Sequence, residues 1–256
     1  MKYSLKCAAW LAVLFFLAFA GELPAATSVP AGTILPLRLT SDISSAKSHP
    51  NQIIRARLAQ DVPLADGSII HSGAIVVGHI VSVTPAASGS EATVTLRFDT
   101  LESRQGKTPM VTNLRAIASF VEVGEAEVPM EGPDRGTPAN AWTTEQIGGD
   151  IVYRGGGPVE AASGQVGVPV SGGVLSRLSA NPGGGCRAET DANDAPQALW
   201  VFSADACGVY GMPNVKIRDA GRRSGEIVLS STKGSLEVHP GSALLLRVNA
   251  SSVSGA

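Results

Sequence analysis

The chain has 256 residues, 44% hydrophobic, 16% charged and 5% aromatic, with 29 glycines and 16 prolines. An apolar fraction of that size argues against disorder, and so many helix breakers argue against long helices. Twenty basic against 22 acidic residues give a charge of -2, which leaves no basic surface of the kind that holds nucleic acid.

Lys2 and Lys6 precede an apolar run from Cys7 to Ala20, followed by Gly21-Glu22-Leu23-Pro24-Ala25-Ala26, with small residues at both candidate cleavage points. This is the layout of a secretory signal peptide over 1–20, with cleavage after Ala26 as the alternative. The run is too short for a spanning helix, so no integral membrane span is expected after cleavage. Loss of Lys2 and Lys6 leaves 18 basic against 22 acidic residues, a charge of -4. Cleavage places the chain in the periplasm, at the cell surface or outside the cell. There thiols oxidise, and the remaining cysteines, Cys186 and Cys207, are expected to form a disulfide worth roughly 3 kcal/mol of unfolded-state entropy.

From Ile34 to Val123 the pattern alternates with period two. Ile54, Ala56 and Leu58 face a core while Arg55 and Arg57 face out, and Val94, Leu96 and Phe98 repeat the scheme. Asp66-Gly67, Ser72-Gly73 and Gln105-Gly106 read as turns, and helical spacing is absent. Residues 29–124 are therefore expected to form one β domain. The stretch 125–145, with three prolines and two glycines, reads as a linker.

Residues 146–253 read as a second, glycine-rich β domain. Short strands are expected at 150–154, 165–170 and 174–178, and Leu199-Trp200-Val201-Phe202 reads as a strand buried on both faces. Glu226 to Ser230 and Leu236 to His239 flank Lys233-Gly234 as a hairpin. The fold class is thus all-β, with two small sandwich-like or barrel-like domains behind a signal peptide.

Motifs for hydrolysis, phosphate binding and dinucleotide binding are missing. His79 alternates with valines, His49 and His239 precede prolines, and a metal shared by His71 and His79 lacks a third ligand. The stretch from Glu189 to Asp194 fails the calcium-loop pattern at its turn and closing positions. No metal, cofactor or catalytic residue is assigned. Trp142, Tyr153 and Trp200 are the candidates for stacking on a ligand.

The order of features from Pro30 to Leu114 resembles the outer-membrane barrel domain of TrbI-like conjugal-transfer and type IV secretion proteins. The resemblance rests on Pro30-Ala31-Gly32-Thr33-Ile34-Leu35-Pro36, Leu39 to Ser45, Arg55 to Val62, and Gly67 to Ala74. It continues through Gly78-His79-Ile80, Val94 to Leu101 and Gly106-Lys107. It covers about a third of the chain and implies a small periplasmic β barrel or sandwich that works through protein contacts. Members of that family carry an uncleaved membrane helix before the barrel and an apolar helix within it, neither of which is present in this reading. The function expected is thus binding or scaffolding with an envelope protein partner. A carbohydrate or small-ligand binding module is the alternative, and a secreted hydrolase using Asp or Glu the third.

Overall fold

The structure, a computed structural model, describes residues 28–87, 90–128, 143–153, 156–179, 182, 195–222 and 224–249. The segment read as a signal peptide, residues 129–142 of the expected linker, and Cys186 lie outside them. The first part comprises β1 (Ile34–Leu39), β2 (Ile43–Ser44), β3 (Ile53–Leu58), β4 (Val62–Pro63), β5 (Ile69–Ile70), β6 (Ile75–Thr84), β7 (Ala92–Ser103), β8 (Gly106–Pro109), β9 (Thr112–Ala118) and a helix, α1 (Phe120–Glu127). Next come β10 (Thr143–Glu145), β11 (Ile151–Tyr153), β12 (Val159–Ala161), β13 (Gly164–Val170), β14 (Gly173–Ser176) and β15 (Gln197–Ala198). The last are β16 (Gly208–Tyr210), β17 (Val215–Ala220), β18 (Ile227–Ser231), β19 (Glu237–Val238) and β20 (Ala243–Val248).

The all-β class holds, but the two sheets do not follow one another along the chain. The larger runs β16-β9-β20-β1-β3-β6-β7-β18-β17, with β8 added on β7, and the smaller runs β10 to β15 in sequence order. The larger sheet therefore draws strands from both halves, and the smaller one is inserted between β9 and β16. The expected boundary near 125–145 marks where the chain leaves the first sheet. The return, before Gly208, falls inside what the sequence reads as one second domain.

Strands β16 and β17 stand at opposite ends of the larger sheet yet are joined by only residues 211–214. The sheet must roll to bring them together. Across the gap the Thr112 hydroxyl donates to the Phe98 carbonyl at 2.8 Å. The alternation expected for β3 and β7 points Ile54, Ala56, Leu58, Val94, Leu96 and Phe98 into the barrel core. Gly78 lies opposite Phe98, where a Cβ would collide with the Arg97 carbonyl oxygen and stand 2.9 Å from the Phe98 ring, so this glycine allows the close approach of the two strands at the bulge. One barrel end is plugged by the β2–β19 pair, with Ile43, Leu236 and Val238 buried.

Four local expectations change. Residues 120–127 are helical, begun by Ser119, whose hydroxyl accepts from the Glu122 N–H at 3.3 Å. Leu199 to Phe202 form a buried turn, not a strand. The strands flanking Lys233-Gly234 do not pair with each other: β18 lies between β7 and β17, and β19 pairs with β2. The segment from 150 to 154 supplies only the three-residue β11.

Strands β1, β9 and β20 are buried on both faces. Inward they give Leu35, Leu37, Ile117, Leu244 and Leu246 to the barrel. Outward, Ile34, Ala116, Ala118, Ala243 and Leu245 pack on Val152, Val159, Val174 and Phe202 of the inserted body. The β9–β20 register slips between Leu245 and Leu246, leaving Arg115 as an extra residue. Such a bulge re-aims a side chain, and Arg115, 3% exposed, donates to the carbonyls of Ala206 and Ala204, each at 3.0 Å. Gln60 forms a second tie, donating to the Val174 carbonyl at 2.9 Å and accepting from the Trp200 N–H at 2.7 Å. Gln197 forms a third, accepting from the Ile34 N–H at 3.2 Å.

Removing the Arg115 guanidinium leaves buried carbonyls unsatisfied. Arg115→Met is expected to cost on the order of 3 kcal/mol of unfolding free energy by denaturant titration. A loss under about 0.5 kcal/mol, the range of ordinary surface changes, would show that the guanidinium does not hold the two bodies together.

Candidate functional site

The end of the barrel opposite the β2–β19 plug carries the β4–β5 hairpin, the β5–β6 loop and the β7–β8 turn. Asp66-Gly67, Ser72-Gly73 and Gln105-Gly106 all turn as expected, with φ of 84°, 88° and 118° at the glycines. Between these loops lies a cavity of about 450 Å³. Its floor is apolar: Ile70 and Leu101 belong to the barrel core, and Val29, Leu64 and Ala74 pack against it. Ile69, on the same two-residue strand as Ile70, stays 44% exposed at the rim. Nothing in the periodicity marked this place, because it is built from turn residues. The Ile69-Ile70 pair was the available signal, since a strand this short in a one-sided sheet needs only one inward apolar residue.

The charges around the rim are mostly committed. Asp61 accepts from the Ser72 N–H at 2.7 Å and lies 3.5 Å from His71 Nδ1. The Ser72 N–H, assisted by His71, holds the Asp61 carboxyl below its ordinary range. Lys107 sits 2.7 Å from Glu102 and lowers that carboxyl in turn. Arg104, in the β7–β8 turn, lines the cavity and has no ion-pair partner among the described residues.

The stacking candidates do not converge. Trp142 lies outside the described residues. Tyr153 ends β11 and is 37% exposed. Trp200 is 6% exposed, with φ of 51° and its ring covered by the Arg38 guanidinium at 4.6 Å. Arg38 is itself 2.5 Å from Glu127 of α1. Positive φ in a bulky residue is strained and persists only where the surroundings hold it. Here the Gln60 side chain fixes the Trp200 N–H, and the Gln146 amide, with its NH2 toward the turn, reaches the Trp200 carbonyl at 2.7 Å. Trp200 thus helps join helix, barrel and inserted sheet, and its ring face is not open for stacking.

His71 and His79 have separate carboxylate neighbours. The β6–β7 register leaves Asp99 as an extra residue, and its carboxylate stands 3.0 Å from His79 Nδ1. Among the described residues no three His, Cys, Asp or Glu side chains gather as metal ligands, and no helix is long and apolar enough to cross a membrane. Cys207 is buried beside the carbonyls that hold Arg115.

The apolar residues on the outside of α1 had no counterpart in the sequence reading. Val123 and Ala126 face the core, whereas Phe120, Val121 and Val128 are 50%, 51% and 61% exposed. At roughly 100° per residue, Phe120, Val121 and Gly124 share a face about 100° wide, and Val128, the extended residue that caps the helix, follows at its end. No protein-family model matches this chain, and no curated protein matches it.

Asp150 is a buried carboxyl, 2% exposed. Its Oδ2 accepts from the Ala204 N–H at 2.8 Å, and burial pushes its pKa up, with Asp205 adding to the effect. A raised native pKa penalises the ionised form above it, and the penalty is relieved as pH falls through it. Asp150→Asn is therefore expected to match or exceed the parent in stability at pH 7. The parent should gain on the variant as pH falls through the native carboxyl pKa. Denaturation midpoints across that range test this, and a parent that loses ground on acidification would contradict it.

Proposed function

We propose that this is an exported cell-envelope protein that acts by binding a protein partner, without catalysis. The observation that carries this reading is the solvent-facing apolar side of α1. A contiguous apolar helix face with the helix already anchored beneath it is a common form of protein contact surface. Anchoring comes from Val123 and Ala126 below, the Arg38–Glu127 pair at the end, and Phe120 set edge-on to His239 with centroids 5.9 Å apart. The apolar leader supports export, and the resemblance of 30–114 to the TrbI-like barrel supports a role in an envelope assembly. An oxidised Cys186–Cys207 pair in the periplasm or outside the cell belongs to the same proposal.

A photoreactive residue in place of Val121, in the native envelope, is expected to give a discrete adduct with one protein. Placing Lys at Val128 in the same chain should abolish the adduct. A photoreactive residue at Lys107, on β8, is the comparison. No adduct at Val121, or the same adduct at Lys107, would remove this surface from the account. Thiol labelling of the exported, unfolded but unreduced chain should count no free sulfhydryl from Cys186 or Cys207, and labelling of both would contradict the bridge.

A further inference from the structure

We propose that the cavity at the open barrel end binds a fatty carboxylate, with the alkyl chain on the Ile70–Leu101 floor and the head group at Arg104. A cavity of about 450 Å³ falls in the range of small-molecule sites, and barrel mouths are a recurrent place for them. Ile70 and Leu101 are part of the barrel core itself, so a chain lying on them extends the core's own apolar surface. Ile69, 44% exposed at the rim, widens that surface. Apolar burial supplies the attraction and sets no preference for the head group.

The head group follows from charge. Glu102 is matched by Lys107, and Asp61 by the Ser72 N–H and His71. Asp66, beyond the rim, accepts from the Ser68 N–H and hydroxyl at 2.9 and 2.6 Å. Arg104 is the cavity-lining cation without such a match among the described residues. A guanidinium presents a fork of donors that fits a carboxylate. An alkyl chain ending in one carboxylate satisfies floor and rim together. This site lies on the β4–β5 and β7–β8 loops and does not involve α1, so it stands or falls separately from the protein-binding reading.

The test is displacement of the fluorescent probe dansyl-undecanoate from the full exported chain by dodecanoate and by dodecanol. Saturable probe binding is expected, with displacement by both. Arg104→Gln should weaken dodecanoate by about tenfold, the loss of one charge-assisted hydrogen bond, and leave dodecanol unchanged. Ile69→Asp should abolish binding of both. Each side chain is at the surface, so thermal melts of the variants should match the parent and exclude misfolding as the cause. Absence of saturable probe binding, an Ile69→Asp variant that binds normally, or an Arg104→Gln variant that does not separate acid from alcohol would each overturn the proposal. Binding only to intact phospholipid vesicles, with no displacement by free dodecanoate, would overturn it as well.

Discussion

The architecture depends on one sector of sheet, β1–β20–β9, that has an apolar surface on each side. A strand in a barrel ordinarily faces water outside and alternates accordingly. Here the outer positions are Ile34, Ala116, Ala118, Ala243 and Leu245, and they need a cover. The inserted sheet provides it, and small alanines on β9 and β20 let the two layers approach closely. The bulge at Arg115 then sends a guanidinium to the carbonyls of the 204–206 loop, a place where the inserted chain returns toward the barrel. Those carbonyls help solvate the buried cation, which would be destabilising if left without partners.

Anchoring the insertion to one side of the barrel leaves the rest of the surface to function. One barrel end is closed by β2 and β19, and the other stays open between hairpins whose turns are set by glycine. Helix α1 runs on from β9 at the seam, so its outer face is presented by a strand that is buried along its whole length. A rigid platform of this kind suits recognition, in which little ordering entropy remains to be lost on binding. Open end and helix face are built on different elements, so a small ligand and a protein can be accommodated independently.

Period-two reading placed the faces of β3 and β7 and the glycine turns, because each is decided by residues within one strand or one turn. What it missed is non-local. The pairing of β20 with β1 joins Leu244 to Leu37 across some two hundred residues, and no local pattern encodes it. The run of four apolar residues from Ala243 to Leu246 in β20 carried a hint, since burial on both faces erases alternation. Leu199 to Phe202 shows the same erasure without being a strand: a turn fixed by Gln60 and Gln146 buries every side chain as completely as a central strand would. Helix α1 was legible in principle. Ser119 and Glu122 stand three apart, the spacing of a capping box, but eight residues are too few for a helical period to assert itself over the alternation that precedes them. For the site, the turns were read but not the cavity between them, which arises only when β3, β6 and β7 align their ends.

The central claim is that barrel and insertion are a single cooperative unit held through the doubly buried sector. Native-state hydrogen exchange addresses it most directly, by comparing amides of β1, β9 and β20 with those of residues 197–207. The account predicts that both groups exchange only through global unfolding, with the same opening free energy and the same denaturant dependence. If residues 197–207 exchange through a cheaper opening while β1 and β20 remain protected, the insertion is an independent appendage and the account is wrong.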